Sequence, residues 1–462
     1  MRTGVFCFHG GSNNGGNNMR NLIERIRLRI EKVMEQRFWK QLFTNMSTAL
    51  LAEVGVTILS FIMTAIVIRR LGNTSYGIFV LTLAFATTAT RLTSFQTWQG
   101  VIKYGSEALV SNDSAYLQSI LKVSWVMDFV TTALGILVSW LLVPLIGGLL
   151  KWDASILQYA RLMSITLVLN LSNTPTGLLR ILNRFAVITS YRIFASGMKL
   201  VLVVIGIFVA DLGVMGVVLG HVGGELLGIA YLYIRTAHII IKSSFVSVRG
   251  IVNSDMIFCG KTFFRFSFWA NLTNIADVPS KEFDAFVLST ISYDIVAVFK
   301  VYKQIGQVLY KLVNPISQAI LPQFSELVAQ NKGKECYQKM VTLRNKSLLL
   351  LIPLTLALCV GSLIVLNILF GEIYLTYWYV LLSFLLARAF ALASASIHPL
   401  FIALGYVKKN VAFSLIANLA YMVSAVILVN NIGILGVVVA LTIEYVIMIG
   451  LKTYTLQKSF GD

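Results

Sequence analysis

Long apolar runs alternate with short polar connections along almost the whole chain. Each run is longer than the roughly 17 residues that a helix needs to cross the hydrocarbon core of a bilayer. The connections are short, and even the longest, from Thr236 to Thr262, is too short for a folded enzyme domain. The pattern predicts an all-α, polytopic membrane protein with twelve transmembrane helices, near residues 42–69, 77–102, 118–146, 156–180, 187–210, 213–237, 263–289, 295–322, 341–370, 374–403, 410–430 and 433–456.

A different pattern precedes the first apolar run. Between residues 20 and 41, apolar side chains recur on one helical face beside seven cations and three glutamates. A basic amphipathic helix of this kind is typical of a segment that lies on an anionic membrane surface. A short coiled-coil contact is the alternative interpretation.

The twelve runs fall into two sets of six that share sequence features. Residues 75–79 (SYGIF) recur as 292–296 (SYDIV), and 212–218 (LGVMGVV) recur as 432–438 (IGILGVV), at nearly the same separation. Such self-similarity indicates a duplication, and six helices per copy give both copies the same orientation. The sequence therefore predicts a tail at 1–41, an N-terminal bundle at 42–238 (the first half), a linker at 239–262 and a C-terminal bundle at 263–462 (the second half).

Composition agrees with this architecture. The chain is 57% hydrophobic and 13% charged, and its mean hydropathy is +0.79, which excludes an ordinary soluble protein. The net charge of +18 comes from short basic segments, among them the one that carries Arg180, Arg184 and Arg192, and not from one basic domain. The distribution of these cations predicts a topology with both termini in the cytoplasm. It does not indicate a nucleic-acid partner. The four cysteines are scattered, so they predict neither a metal site nor a disulfide framework.

The eighth predicted helix carries a line of polar side chains. At helical spacing, one side of residues 299–324 presents Lys300, Lys303, Gln304, Gln307, Lys311, Asn314 and Gln318. A charge facing lipid near the bilayer centre costs at least ~2.5 kcal/mol, so Lys300, Lys303 and Lys311 (the lysine stripe) must face protein or a water-filled cavity. Two interpretations remain open: the stripe is the basic wall of a cavity that receives an anion, or its lysines pair with carboxylates of neighbouring helices.

Other apolar runs also contain ionisable residues. Asn274, Asp277, Lys281 and Asp284 share one face of the seventh helix, while Arg91 is either a substrate ligand or a partner of Glu53. The predicted substrate-binding residues are thus Arg91, Lys281, Lys300, Lys303, Gln307, Lys311 and Asn314, and the candidates for coupling to a proton or sodium ion are Glu53, Asp277 and Asp284. Further ionisable residues within the apolar runs are Asp128, Lys199, His221, Glu225, Arg388, His398 and Glu444.

Four stretches resemble a known family: RRLGNTSYGIF (69–79), SFQTWQGVIKYGSEAL (94–109), KEFDAFVLSTISYDIVAVFKVYKQI (281–305) and ALGYVKKN (403–410). They are similar to the polysaccharide-export flippases of the O-antigen and capsule type, in the superfamily that includes the multidrug and toxic-compound extrusion antiporters and the lipid II flippases. The resemblance implies a V-shaped transporter of two six-helix bundles in a bacterial inner membrane. It would move a polyprenyl-pyrophosphate-linked oligosaccharide to the outer leaflet, and Asp284 matches the family's aspartate in the seventh helix.

Competing functions remain open at this stage. A cation-coupled multidrug exporter would need an acidic cavity for its cationic substrates, and a lipid II type flippase would share the fold. A membrane polymerase or glycosyltransferase would need a larger soluble domain. Walker A, H-E-x-x-H and G-x-S-x-G patterns do not occur, so the sequence predicts no enzyme and no cofactor. The predicted partners are the lipid-linked oligosaccharide, membrane lipids, and a polysaccharide polymerase or glycosyltransferases.

Overall fold

The computed structural model describes residues 14–242, 246–255, 257–276 and 278–460, and in these ranges the regular elements are helices. Short 3-10 segments lie at Ser164–Ser172 and Ser394–Ser396, and a π-helical turn lies at Ile205–Val209. The α-helices are α1 (Asn14–Thr93), α2 (Thr97–Val110), α3 (Ser114–Leu149), α4 (Ala154–Met163), α5 (Asn173–Ile181), α6 (Phe185–Val204), α7 (Gly213–Ile241), α8 (Val248–Asn253), α9 (Ile257–Ala276), α10 (Pro279–Ser289), α11 (Tyr293–Ala329), α12 (Gly333–Phe370), α13 (Ile373–Thr376), α14 (Trp378–Ala393), α15 (Ile397–Ala403), α16 (Val407–Ile432) and α17 (Ile434–Phe460).

Within the described ranges, nine helical segments are long and apolar enough to cross a membrane, so the chain is a multi-span membrane protein. Eight of them each coincide with one predicted apolar run. The ninth, Glu53–Val110, contains the first two predicted runs, which are separated by a kink at Gly72 with φ of 83°. The seventh and eighth predicted runs correspond to α9 with α10 and to α11, which are not among the nine.

Small residues bring α6 and α7 into close contact. Gly216, Gly220 and Gly224 recur every four residues along α7; the last two face α6, and Gly216 faces Gly206 in the π-helical turn that follows α6. A Cβ atom on Gly220 would lie 2.5 Å from the backbone nitrogen of Val203, so the two backbones leave no room for a side chain. Lipid tails solvate apolar side chains well, and helices in a bilayer therefore gain attraction mainly by this kind of close backbone approach.

Two membrane-spanning segments of the first half are interrupted, and Asp128 of α3 joins both interruptions. One carboxylate oxygen accepts a hydrogen bond from Thr97 Oγ1 (2.6 Å) at the start of α2. The other accepts hydrogen bonds from the backbone nitrogen (3.1 Å) and Oγ1 (2.6 Å) of Thr174 at the start of α5. Because helix N-termini carry partial positive charge, they stabilise this buried carboxylate, which in turn holds α2, α3 and α5 together.

The two halves meet at the end of the molecule that the sequence predicts to lie outside the cell. Thr74 Oγ1 donates to Asp294 Oδ1 (2.6 Å), and Tyr374 Oη donates to Asn73 Oδ1 (2.8 Å). Tyr76 of the first half and Phe299 of the second belong to one continuous buried core. Side chains of both halves thus close this end.

Gly77 lies in close contact with the second half, because a Cβ atom there would collide with the backbone carbonyl of Tyr293. We expect Gly77→Ala to destabilise this closed arrangement by about 1 to 3 kcal/mol through overpacking. Thermal unfolding of the purified protein in detergent measures this as a lower Tm. Gly197→Ala in α6 is the control, because a Cβ atom there meets nothing within 4 Å. Equal Tm values for the two variants would contradict the described contact.

Candidate functional site

A cavity of about 500 Å³ lies inside the first half. Its volume falls within the range of about 300 to 1,000 Å³ that is usual for small-molecule sites. The cavity is lined by residues of α1, the 3-10 segment Ser164–Ser172, α5, α6 and α7. Its charged lining residues are Arg91, Arg180, Arg192, Lys199 and Glu225. Four cations therefore face one carboxylate, and we call this space the cationic cavity.

The interrupted helices supply the polar wall of the cationic cavity. The break between α1 and α2 contributes Ser94 and Gln96, and the 3-10 segment contributes Asn170. Gln96 adopts a left-handed conformation with φ of 51°, which is unusual for a residue with a side chain. Asn170 Nδ2 donates to Thr93 Oγ1 (3.2 Å), which ties the two breaks together. Irregular backbone at membrane depth is tolerated where it lines a polar cavity, as it does here.

Neighbouring side chains position Lys199, Arg180 and Arg192. Lys199 forms an ion pair with Glu225 on α7. The Arg180 guanidinium carbon lies 4.4 Å from the centre of the Trp98 ring, which is a cation–π contact. Arg192 forms an ion pair with Glu53 on α1. An arginine presents several donors in a planar fork that matches phosphate and carboxylate oxygens, so this arrangement is suited to an anion.

A second cavity of about 550 Å³ adjoins the first and shares Arg180, Ile188 and Arg192 with it. Apart from the two arginines, most of its lining is apolar, including Ile102 and Phe185. These residues lie in α2, at the end of α5 and in the first half of α6, near the predicted cytoplasmic ends of their membrane-spanning runs. We call it the adjoining cavity.

The lysine stripe lies on α11 and lines neither of these two cavities. Lys303 Nζ contacts both carboxylate oxygens of Asp284, at 2.8 and 3.0 Å. Lys311 Nζ lies 3.3 Å from Glu53 Oε2 and also donates to Thr57 Oγ1. Lys300 is close enough to Glu282 and Asp284 to interact with them electrostatically. Carboxylates of neighbouring helices therefore compensate Lys303 and Lys311.

The other predicted site residues are dispersed. Gln307 is exposed on α11, and Lys281 is exposed on α10 while its carbonyl accepts a hydrogen bond from Lys303. Asp277 and the side chain of Asn314 lie outside the described residues. Of the predicted substrate-binding residues, Arg91 is the one that the structure brings to the cationic cavity.

Four residues that line the cationic cavity are not among the predicted site residues: Arg180, Arg192, Lys199 and Glu225. From the sequence, the two arginines are interpreted as signals of membrane topology, and Lys199 and Glu225 belong to the further ionisable residues within the apolar runs. The sequence does contain a signal for Arg180 as a cavity residue, because Asn173, Thr176 and Arg180 share one polar helical face.

Three comparisons with known proteins bear on this fold and site. A chain of 31% identity over 113 residues is inner membrane protein YghQ of Escherichia coli (strain K12); the match covers 24% of this chain and spans about a third (32%) of that relative. An inward-facing multidrug resistance MATE family transporter of the MOP superfamily superposes with a TM-score of 0.71 at 13% identity, over 88% of this chain and 94% of its own. The lipid II flippase MurJ, in an inward closed conformation, superposes with a TM-score of 0.66 at 16% identity, over 88% and 87%.

These structures share the fold of this chain, a multi-span helical architecture of the MATE and MurJ type. The sequence pattern of one family, described as polysaccharide biosynthesis protein, matches residues 42–328, which is more than half of the chain. The protein therefore belongs to the polysaccharide biosynthesis protein family.

Proposed function

We propose that this protein flips a polyprenyl-(pyro)phosphate-linked oligosaccharide from the inner to the outer leaflet of a bacterial inner membrane. The cationic cavity is the observation that carries the proposal, since Arg91, Arg180, Arg192 and Lys199 all line it, while two carboxylates, Glu225 and Glu53, pair with Lys199 and Arg192. Phosphate oxygens carry fixed negative charge, and arginine forks bind them with strong charge-assisted hydrogen bonds. The protein is then a transporter for cell-surface polysaccharide synthesis and not an enzyme.

The contacts between the halves support transport by alternating access. The end near Asn73 and Asp294 is closed by hydrogen bonds between the halves. The adjoining cavity lies near the opposite end, at Arg180 and Arg192. We infer twelve membrane crossings with both termini in the cytoplasm, which makes the described state inward-facing. The relative from Escherichia coli is an inner membrane protein, which supports an inner-membrane location for this chain.

Substrate reaches such a site from the cytoplasmic leaflet. The adjoining cavity provides an apolar mouth beside two arginines, a combination that suits a lipid whose head group is anionic. The sugar chain would extend into water between the halves while the lipid tail stays in the bilayer. Glycosyltransferases that build the oligosaccharide, and a polymerase that consumes it, are the partners that this reaction requires.

Cation-coupled drug export is the second candidate, because a MATE family transporter shares the fold. A cationic substrate needs carboxylates that are free to bind it. Asp284, Glu225 and Glu53 are instead each paired with a lysine or arginine. The sign of the charge in the cationic cavity therefore favours the anionic lipid. Coupling of transport to a proton or sodium ion through Asp284 or Glu53 remains a prediction.

The cationic cavity predicts the effect of Arg180→Gln. A hydrogen bond to a charged group contributes about 1.5 to 3 kcal/mol, so we expect roughly 10-fold or greater weakening of binding to a polyprenyl pyrophosphate. Binding to the purified protein is measured by tryptophan fluorescence or calorimetry. Arg184→Gln is the matched control, since Arg184 is exposed and lines neither described cavity. Equal affinity in both variants would exclude Arg180 from the head-group site.

Lys303 distinguishes the two interpretations of the lysine stripe. Lys303→Gln leaves the Asp284 carboxylate, whose side chain is 7% exposed, without its cation. We expect a loss of about 3 to 5 kcal/mol in stability and a lower protein level in the membrane. Adding Asp284→Asn should restore the protein level and export together. A Lys303→Gln variant that keeps its protein level but loses export would instead assign Lys303 to the substrate.

A further inference from the structure

Glu53 connects three helices through its two carboxylate oxygens. Oε1 pairs with Arg192 on α6, and Oε2 pairs with Lys311 on α11. Lys311 Nζ also donates to the Glu53 carbonyl oxygen (3.1 Å), so α11 is bound to both the backbone and the side chain of this residue. Since Arg192 belongs to the first half and Lys311 to the second, Glu53 is a charged link between the halves.

The link differs in exposure from the other intramembrane ion pairs described above. The Glu53 side chain is 35% exposed and Arg192 is 39% exposed. The carboxylates of Asp284 and Glu225 are only 7% and 6% exposed. A buried carboxylate that loses its cation is left in a low-dielectric environment, whereas a partly hydrated carboxylate can exchange its cation for water. Among these three carboxylates, Glu53 is therefore the one that can detach at low cost.

Arg192 lies where a ligand would reach it, because it lines both the cationic cavity and the adjoining cavity. An anion that binds the Arg192 guanidinium competes with Glu53 for the same donors. The anion and the Glu53 carboxylate are both negative, so they would also repel each other when both lie beside the Arg192 guanidinium. Binding of an anion at this position thus acts directly against the link.

We propose that Glu53 is an internal counter-ion that holds Arg192 and Lys311 while the cationic cavity is empty, and that an anionic head group displaces it. Displacement removes the Glu53 carboxylate from Lys311 and so weakens the contact of α11 of the second half with α1, while Lys311 keeps its hydrogen bonds to the Glu53 carbonyl oxygen and to Thr57. The inference rests on the proposed function and adds to it the step by which substrate binding changes the contact between the halves. A ligand shifts a conformational equilibrium only through a difference in its contacts with the two states, and Glu53 supplies that difference.

The test uses purified full-length protein with inorganic pyrophosphate as the probe. We expect Glu53→Gln to bind pyrophosphate about 10-fold more tightly, because no carboxylate competes for Arg192. A spin-label pair at Ser111 and Thr342, which are exposed on the predicted cytoplasmic side of each half, reports the separation of the halves. Without ligand, Glu53→Gln should show the distance distribution that the wild-type background shows only with pyrophosphate.

Two further variants separate the parts of the proposal. Lys311→Gln should change the distance distribution without tightening pyrophosphate binding, since Glu53 still holds Arg192. Glu335→Gln removes an exposed pair with Lys339 within α12 and should change neither quantity. Unchanged distances in Glu53→Gln, with pyrophosphate binding intact, would overturn the role of Glu53 alone. Absence of pyrophosphate binding by the wild-type protein would overturn the head-group site and the displacement step with it.

Discussion

A charge inside the membrane must be compensated, because transfer into hydrocarbon without a partner or water is costly. This constraint accounts for most of the polar architecture. Lys303 is compensated by Asp284, and Lys199 by Glu225, within their own halves. Glu53 is shared by cations from both halves. Four cations lie together in the cationic cavity, and we propose that an external anion binds there.

The same constraint explains why helices are broken beside the cavity. A broken helix exposes backbone polar groups, which a bilayer does not solvate. Asp128 accepts a hydrogen bond from the backbone nitrogen of Thr174 at the start of α5. Its bond from Thr97 and the bond between Asn170 and Thr93 hold the two breaks together inside the first half. The breaks in turn place polar side chains in the wall of the cationic cavity. Gly77 and Tyr293 are in close contact between the halves, at the end that the sequence predicts to lie outside the cell.

Much of the fold could be predicted from the sequence because the length of an apolar run is a local property. Among the described residues, eight predicted runs each coincide with one helical segment long enough to cross a membrane. The functional site was harder to predict from the sequence than the fold. The sequence places Arg180 and Arg192 at helix ends but does not reveal that they line a cavity, so they were interpreted as topology signals. The pairing of Lys311 with Glu53 depends on how α1 and α11 pack, which no local pattern encodes. The pairing of Lys303 with a carboxylate was one of two open interpretations, since Asp284 lies on a polar face of the seventh helix.

We propose that the cationic cavity selects a lipid by its phosphate charge and carries it across the bilayer. The decisive measurement is transbilayer movement of a fluorescent polyprenyl-pyrophosphate glycan in vesicles containing the purified protein. We expect rapid movement with the wild-type protein, loss of movement when Arg91 and Arg180 are both changed to glutamine, and no movement of the same glycan on a neutral polyprenol. Equal movement of the charged and the neutral lipid, or movement that survives loss of both arginines, would contradict it.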